Sequence, residues 1–425
     1  MATSTRSCSS AATSRRTTAS SPRSSPPATS SPPSHPLRPF RVAAISDGFD
    51  PRHGGCGDAR EYTRRLARWA PRRCAPSSAL RPTRGGHGHV NPILQLGRHL
   101  AAHHGLLPTL VTTRQSSHPP TPPAPFRVAA ISDGFDSGGM AACGDAREYT
   151  RRLAEVGSET LRALLRSEAD AGRPPRVLVY DPHLPWAGRV ARGAGVPAAA
   201  FFSQPCAVDV IYGEVWAGRV GLPVVDGGAL RGLLSVELGP EDVPSFVKAP
   251  ESYPPFLEAV LGQFDGLEDA DDVLVNSFQE LEPKMSGVVR SCNEHKLSEE
   301  LRDKCKERGL IVSWCPQLEV LSHKATEAIV TGVPLLAMPQ WTDQPNTAKY
   351  IESAWGNGVR VRRDKEGMVR KEEVERCIRE VLESERKADY RKNANRWMKK
   401  AKEAMKKGGS SYNNIVEFAS KYASY

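Results

Sequence analysis

The chain has 425 residues, 39% of them hydrophobic, enough for two cores of ordinary size, and no apolar run approaches the roughly 20 residues that span a bilayer. Nine cysteines, with neither a C-x-x-C pair nor metal-ligand spacing, argue against a disulfide scaffold and for reduced thiols in a cytoplasmic protein without a secretory leader. The net charge of +10 does not mark a nucleic-acid binder, because residues 1–100 hold 16 Arg, no Lys and 4 acidic residues, a sum of +12 that leaves −2 for the remainder, and that Arg is mixed with Ser, Thr and Pro rather than aromatic residues.

The first elements to read are copies. "FRVAAISDGFD" stands at Phe40–Asp50 and again at Phe126–Asp136, and "CGDAREYTRRLA" at Cys56–Ala67 and Cys143–Ala154. Two copies are too few for a solenoid. After the first copy the chain runs "RWAPRRCAPSSALRPTR", without periodicity. After the second it runs "EVGSETLRALLRSEADA", an amphipathic helix. Residues 1–83 are therefore expected to be duplicated, low-complexity and disordered, outside the chemistry; a Ser/Arg-rich transit peptide is the alternative for their front part.

From Arg84 the pattern is α/β. "NPILQLGRHLAA" predicts a helix with Asn91 as N-cap, Pro92 at its first position and Ile93, Leu96 and Leu100 inward. "LPTLVTT", "FRVAAI" and "RVLVYD" read as buried parallel strands, with helices over Ala146–Arg166 and Trp186–Gly195 between them. "VLVNSFQEL" and "GLIVSW" read as further strands. "KEEVERCIREVLES" reads as a surface helix with Val374, Cys377, Ile378, Val381 and Leu382 on one face. Such a doubly wound sheet carries its site at the carboxyl ends of its strands. His89 falls in the Gly-rich loop "GGHGHVN" before a helix N-terminus, where backbone N–H groups point outward. The loop lacks the third glycine of a dinucleotide fingerprint, and no G-x-S-x-G elbow occurs, which weakens the oxidoreductase and α/β-hydrolase readings.

"WCPQLEVLSHKA" at Trp314–Ala325, followed by "TEAIVTGVPLLAMPQWTDQ" at Thr326–Gln344, resembles the nucleotide-sugar signature of plant UDP-glycosyltransferases. The likeness extends through "GHVNPILQLGRHLA", "VLVYDPHLPWAGRVA", "AAAFFSQPCAVDVIYGEV" and "ADDVLVNSFQELEP", from about residue 84 to 425. Within the family the chain is most similar to glucosyltransferases of small carboxylic acids and phenolics. The resemblance implies a GT-B fold of two Rossmann-like domains facing a cleft: an acceptor-binding domain over 84–284, and a UDP-sugar-binding domain, incomplete and with terminal helices, over 285–425. It also implies UDP-glucose as donor substrate, no cofactor, no metal and inverting transfer to a hydroxyl or carboxyl oxygen. The expected partners are a small-molecule acceptor and the UDP-sugar, with no nucleic acid and no stable membrane insertion; the protein is expected to be a monomer.

Carried over by matching motif, His89 of "GHVNP" is the general base and Asp181 of "VYDPHLPW" holds its imidazole. Trp314 stacks on uracil in "WCPQ", with Cys315 beside it and Gln317 near uracil or ribose. Glu327 accepts from ribose hydroxyls, and Asp343 with Gln344 holds the sugar. Phe202, Gln204 and Cys206 of "FFSQPCAV" form part of the acceptor wall.

The chain departs from the family in two places. Trp314–Gln344 spans 31 residues, where the family signature has about 44; the gap, between Ala325 and Thr326, removes the His-Cys-Gly-Trp-Asn-Ser helix start that holds the diphosphate. The second gap, at Lys284–Met285, removes the interdomain linker, a strand and the Gly-Ser phosphate loop. The alternative to an active enzyme is accordingly an inactive or non-folding product of a damaged gene or gene model.

Overall fold

The repeated hexapeptide FRVAAI enters one sheet twice. The computed structural model describes residues 40–45, 87–114, 125–137, 143, 145–283 and 332–423. In chain order the elements of the first sheet and its cover are β1 (Phe40–Ile45), α1 (His87–His104), β2 (Leu106–Thr113), β3 (Arg127–Ile131), α2 (Ala146–Asp170), β4 (Val177–Tyr180), α3 (Pro185–Gly193), β5 (Ala198–Phe202), α4 (Cys206–Trp216), α5 (Ser245–Lys248), α6 (Pro254–Gly262) and β6 (Asp272–Val275). The strands are all parallel in the order β3-β2-β1-β4-β5-β6.

β1, from the first copy, pairs with β2 and with β4, while β3, from the second, pairs with β2 alone. The expectation that nothing before residue 84 takes part in the fold fails at these six residues. The physical reason is the vacancy itself: "SSALRPTRGG" holds no apolar run for the position beside β4, and an internal parallel strand needs ladder partners on both edges. A short β-branched run suits either position, so the duplicate serves.

The two faces of the sheet bury alternate residues, as a pleated strand requires. Leu178 and Tyr180 of β4, with Ala198, Ala200 and Phe202 of β5, pack under α2, α3 and α4. Val177, Val179, Ala199, Phe201 and Leu274 face the other way, against Ile93, Leu96 and Leu100 of α1. α2 is capped by Asp145, whose side chain accepts from the Glu148 N–H, and it crosses α3 at a glycine: a Cβ on Gly157 would lie 2.8 Å from the Trp186 ring.

The remaining elements are β7 (Leu335–Ala337), α7 (Gln344–Lys349, continued by a π turn at Tyr350–Ala354), β8 (Gly358–Arg360), α8 (Lys371–Leu382), α9 (Lys387–Met405) and α10 (Ser410–Ala423). β7 and β8 form a two-stranded parallel pair, approached so closely that a Cβ on Gly358 would lie 2.3 Å from the Leu335 carbonyl oxygen. Val359 and Val361 pack with Cys377, Val381 and Tyr390. The predicted apolar face of α8 is only partly used, because Ile378 and Leu382 are exposed; among the described residues the second sheet offers two strands and covers a narrow stripe. α10 returns to the first sheet, where Ile415, Phe418, Ala419 and Tyr422 complete the α1 side. There Lys421 Nζ donates to Asp272 at 2.8 Å, and the Tyr422 hydroxyl donates to the same carboxylate.

One local reading is corrected. α1 begins at His87, so Pro92 lies inside it rather than at its first position, and His89 sits in the first helical turn rather than in a loop before the helix. Proline supplies no N–H, so the Gly88 carbonyl lacks its helical donor, and the turn from His87 to Val90 closes without that bond.

Candidate active site at the carboxyl edge of the sheet

The strand order reverses between β1 and β4, and in open parallel sheets the crevice beyond that point takes the ligand. β1 and β4 end level, Ile45 opposite Tyr180, and Asp181 follows at once. α1 runs back to the start of β2, since His104 and Leu106 are separated by Gly105 alone. The N-terminal turn of α1, with His89, therefore stands at the carboxyl edge, the same edge as Asp181.

Asp181 is buried, 3% exposed. Its Oδ1 accepts from the backbone N–H of His183 at 3.0 Å, and His183 Nδ1 lies 2.8 Å from the same oxygen. A carboxylate only accepts, so the proton of that second bond is on Nδ1. The Leu184 N–H closes the turn onto the Asp181 carbonyl at 2.8 Å, and α3 starts at Pro185. His183 thus holds Asp181 in place. The residue stands inside the quoted motif, and the signal that would have found it is the Asp-Pro-His order, an Asx turn that brings the ring at i+2 back onto the carboxylate.

Of the three residues read as acceptor wall, Phe202 and Cys206 lie in the core, 2% and 3% exposed, with the Phe202 ring 5.8 Å from that of Phe264. Gln204 is half-buried, and its Oε1 has no hydrogen-bond partner among the described residues. Cys206 opens α4, and there the structure supplies an unanticipated residue. The Glu282 carboxyl group accepts from the backbone N–H groups of Cys206 at 3.4 Å and Ala207 at 3.2 Å and from Ser277 Oγ at 2.5 Å, an acceptor seated on a helix N-terminus. Burial pushes the Cys206 thiol up, assisted by the nearby Glu282 and Asp209.

One turn along α4, the Asp209 carboxylate and the Tyr212 hydroxyl are buried without a hydrogen-bond partner among the described residues. Both lie within electrostatic reach of Asp343, at the start of α7. The Asp343 carboxylate accepts from Thr342 Oγ1 at 2.6 Å, and Gln344 Oε1 accepts from the Gln340 N–H at 2.8 Å. Thr342 adopts φ 59°, the left-handed region a β-branched residue avoids. Two contacts hold it there: the Ser245 N–H donates to its carbonyl at 2.9 Å, and the Trp341 ring packs on Phe246, Tyr253 and Phe256. Trp314, Cys315, Gln317 and Glu327 lie outside the described residues. No three His, Cys, Asp or Glu side chains among the described residues are grouped to hold a metal, and no described helix is long and apolar enough to cross a membrane.

The family "UDP-glucoronosyl and UDP-glucosyl transferase" matches residues 295–403. The UDP-glucosyltransferase UGT13248 of Hordeum vulgare subsp. vulgare is 52% identical, over 81% of this chain and 94% of its own length. This chain belongs to the plant UDP-glycosyltransferases. UDP-glycosyltransferase 79 of Oryza sativa subsp. japonica is 51% identical over 81% of this chain and 96% of its own. The crystal structure of Os79 from O. sativa, in complex with UDP and deoxynivalenol-3-glucoside, superposes with a TM-score of 0.68 at 52% identity, covering 78% of this chain and 98% of that one. A UDP-glucosyltransferase from Polygonum tinctorium, 17% identical, shares the fold with a TM-score of 0.61 over 92% of this chain and all of that one. The architecture is accordingly GT-B, and UDP-sugar is the family's donor substrate. The barley match occupies 447 aligned positions, to which 81% of 425 residues contributes about 344, so about 100 positions of that relative have no counterpart here.

Proposed function

We propose that this site is built for inverting transfer of glucose from UDP-glucose to an oxygen of a small plant metabolite, in the cytoplasm, with His89 as general base and Asp181 as its orienting carboxylate. His89 takes the proton from an acceptor hydroxyl as that oxygen attacks the anomeric carbon, and the bond from that carbon to UDP breaks with inversion. Asp181 stabilises the imidazolium so formed; a base in this position contributes typically 10² to 10⁴ in rate. The observation that carries this reading is the placement of Asp181 and the His89-bearing turn of α1 at one edge of the sheet, beside the strand-order reversal. Trp314, Cys315, Gln317 and Glu327 would hold the nucleotide, Asp343 and Gln344 the glucose, and Gln204, between the buried Phe202 and Cys206, the acceptor. The rice crystal structure is a complex with UDP and deoxynivalenol-3-glucoside, which favours a hydroxyl over a carboxyl acceptor. Deoxynivalenol is the first acceptor to assay, with a phenolic acid beside it.

A second reading, that the chain as it stands is catalytically inactive, is favoured by the roughly 100 unmatched positions. The two sequence gaps remove both elements that the family sets around the diphosphate. Charged hydrogen bonds contribute about 1.5 to 3 kcal/mol each, against about 1 kcal/mol for an aromatic stack on the base. Losing several takes a micromolar site to millimolar or weaker, at about 1.4 kcal/mol per tenfold. Calorimetric titration with UDP is expected to show no saturable binding in the micromolar range, and binding is expected to return when both segments are restored. In the restored chain His89→Ala should retain UDP binding and lose most turnover. Micromolar UDP binding by the unrestored chain would sink the second reading, and near-native turnover by His89→Ala the first.

A further inference from the structure

The chain from residue 101 onward sums to −2, yet Lys387–Lys407 alone holds nine Lys and Arg against two acidic residues. α9 buries one stripe, Tyr390, Ala394, Trp397, Ala401 and Ala404. On the rest of its circumference stand Arg391, Lys392, Arg396, Lys399, Lys400 and Lys402, all exposed except the half-buried Lys400. None of these six forms an ion pair with a described residue. The neighbouring surface helices behave otherwise: Arg376 and Arg379 of α8 pair with Glu373, Glu375 and Glu383, and Arg147 and Arg151 of α2 with Glu258, Glu148 and Glu155. Like charges crowded on one helix without a described carboxylate beside them repel one another, a cost that an external anion would relieve.

We infer that the outer face of α9 docks this protein on an anionic phospholipid surface. The helix is about 28 Å long, and its basic row from Arg391 to Lys402 spans about 17 Å of it. Five of the seven basic residues of α9 are lysines, point charges on flexible stems, which suit a laterally averaged layer of phosphates better than bidentate reading of one site. Single-stranded nucleic acid fits less well, because neither aromatic ring of this helix is offered for stacking: Tyr390 is 2% exposed. Trp397 is 7% exposed and lies under Arg396, 4.9 Å from the ring centroid, and Lys400, at 5.0 Å. This inference does not rest on the glycosyltransferase site or on its turnover.

The test is co-sedimentation of the full-length chain with phosphatidylcholine vesicles, with and without phosphatidylserine, at physiological and at high salt. Binding is expected only with phosphatidylserine and to weaken at high salt, as screening requires. Each basic residue near such a surface is worth about fivefold, so full-length Arg396→Glu/Lys399→Glu/Lys402→Glu is expected to bind at least about 100-fold more weakly. Full-length Arg6→Glu/Arg15→Glu/Arg16→Glu is expected to bind as the unaltered chain does. If circular dichroism shows that the triple variant of α9 does not fold, the milder Lys399→Gln/Lys402→Gln supplies the reading, with a loss of about 25-fold. Undiminished binding by a folded α9 variant, loss of binding in the Arg6/Arg15/Arg16 variant alone, no preference for phosphatidylserine, or tighter binding to duplex DNA in the same buffer would each overturn the inference.

Discussion

Asp209 is a carboxylic acid with no room for a charge. Its two oxygens are buried without a hydrogen-bond partner among the described residues, and burial, then Glu282 and Asp343, raise its ionisation well above the carboxylate range. An unfolded chain releases this proton near pH 3.9 and the folded chain does so only higher. Between those two values the folded state holds one more proton than the unfolded, so stability falls as pH rises through that window and is fully retained below it. An asparagine at this position would mimic the protonated acid without titrating. Asp209→Asn is therefore expected to raise the thermal midpoint at pH 7 to 8 and to leave it unchanged near pH 4. An equal shift at both values would remove ionisation as the cause. His183 is a residue-scale matter as well: the family motifs pair Asp181 with His89, 92 positions earlier, and among the described side chains a ring on the same carboxylate comes from His183, two positions later.

At the scale of elements, the crossing of α2 over α3 depends on an absent side chain. Gly157 sits under the Trp186 ring, with Cη2 at 2.8 Å and Cζ2 at 3.1 Å from the place a Cβ would take. Trp186 is itself buried, 6% exposed, and a ring so enclosed cannot swing aside. A valine adds three carbons there, for which overpacking costs about 1 to 3 kcal/mol, more than the roughly 0.5 kcal/mol that leaving glycine returns to a helix interior. Gly157→Val is expected to lower the urea midpoint with an unchanged m-value. A rise in the midpoint would show that α3 can shift without loss. The helices and strands themselves were largely legible: the predicted helix over Ala146–Arg166 runs to Asp170, and that over Trp186–Gly195 occupies Pro185–Gly193. Their periods are local properties of the chain, whereas the start of α1 was misjudged because a proline at the first helical position and one in the second turn look alike in sequence.

Across the whole molecule, the first sheet and the β7–β8 pair are tied through one buried charge. Arg360 of β8 forms an ion pair with Asp242, their side chains 6% and 4% exposed, and donates to the Glu241 carbonyl at 2.7 Å; Lys349 Nζ lies 3.7 Å from the same aspartate. Trp355 Nε1 donates to the Leu281 carbonyl at 3.4 Å nearby. Neutralising the aspartate leaves a guanidinium buried and unpaired, a loss of about 3 to 5 kcal/mol in such pairs. Asp242→Asn is expected to destabilise by about that much in chemical denaturation, and Asp242→Asn/Arg360→Met to recover part of it. If the single substitution cost less than about 1 kcal/mol, the pair would be a surface contact in energetic terms.

Everything carried by short-range pattern could be read from the chain alone. The plant UDP-glycosyltransferase motifs, the alternating strands and helices and the duplicated segments are each contained in a few tens of residues, and each could be read without knowing what lies beside it. The short signature from Trp314 to Gln344 is legible for the same reason, since its length can be counted in one window. Only the assembled fold assigns the two copies of FRVAAI their places, the first between β2 and β4 and the second at the edge beside β2, because identical hexapeptides have identical propensities. It likewise decided that Glu282 seats the N-terminus of α4 and that α10 covers the far side of the first sheet. Those contacts join residues 75 or more positions apart, and such pairings are selected by burial and hydrogen-bond satisfaction in the assembled fold, which no local window of sequence contains.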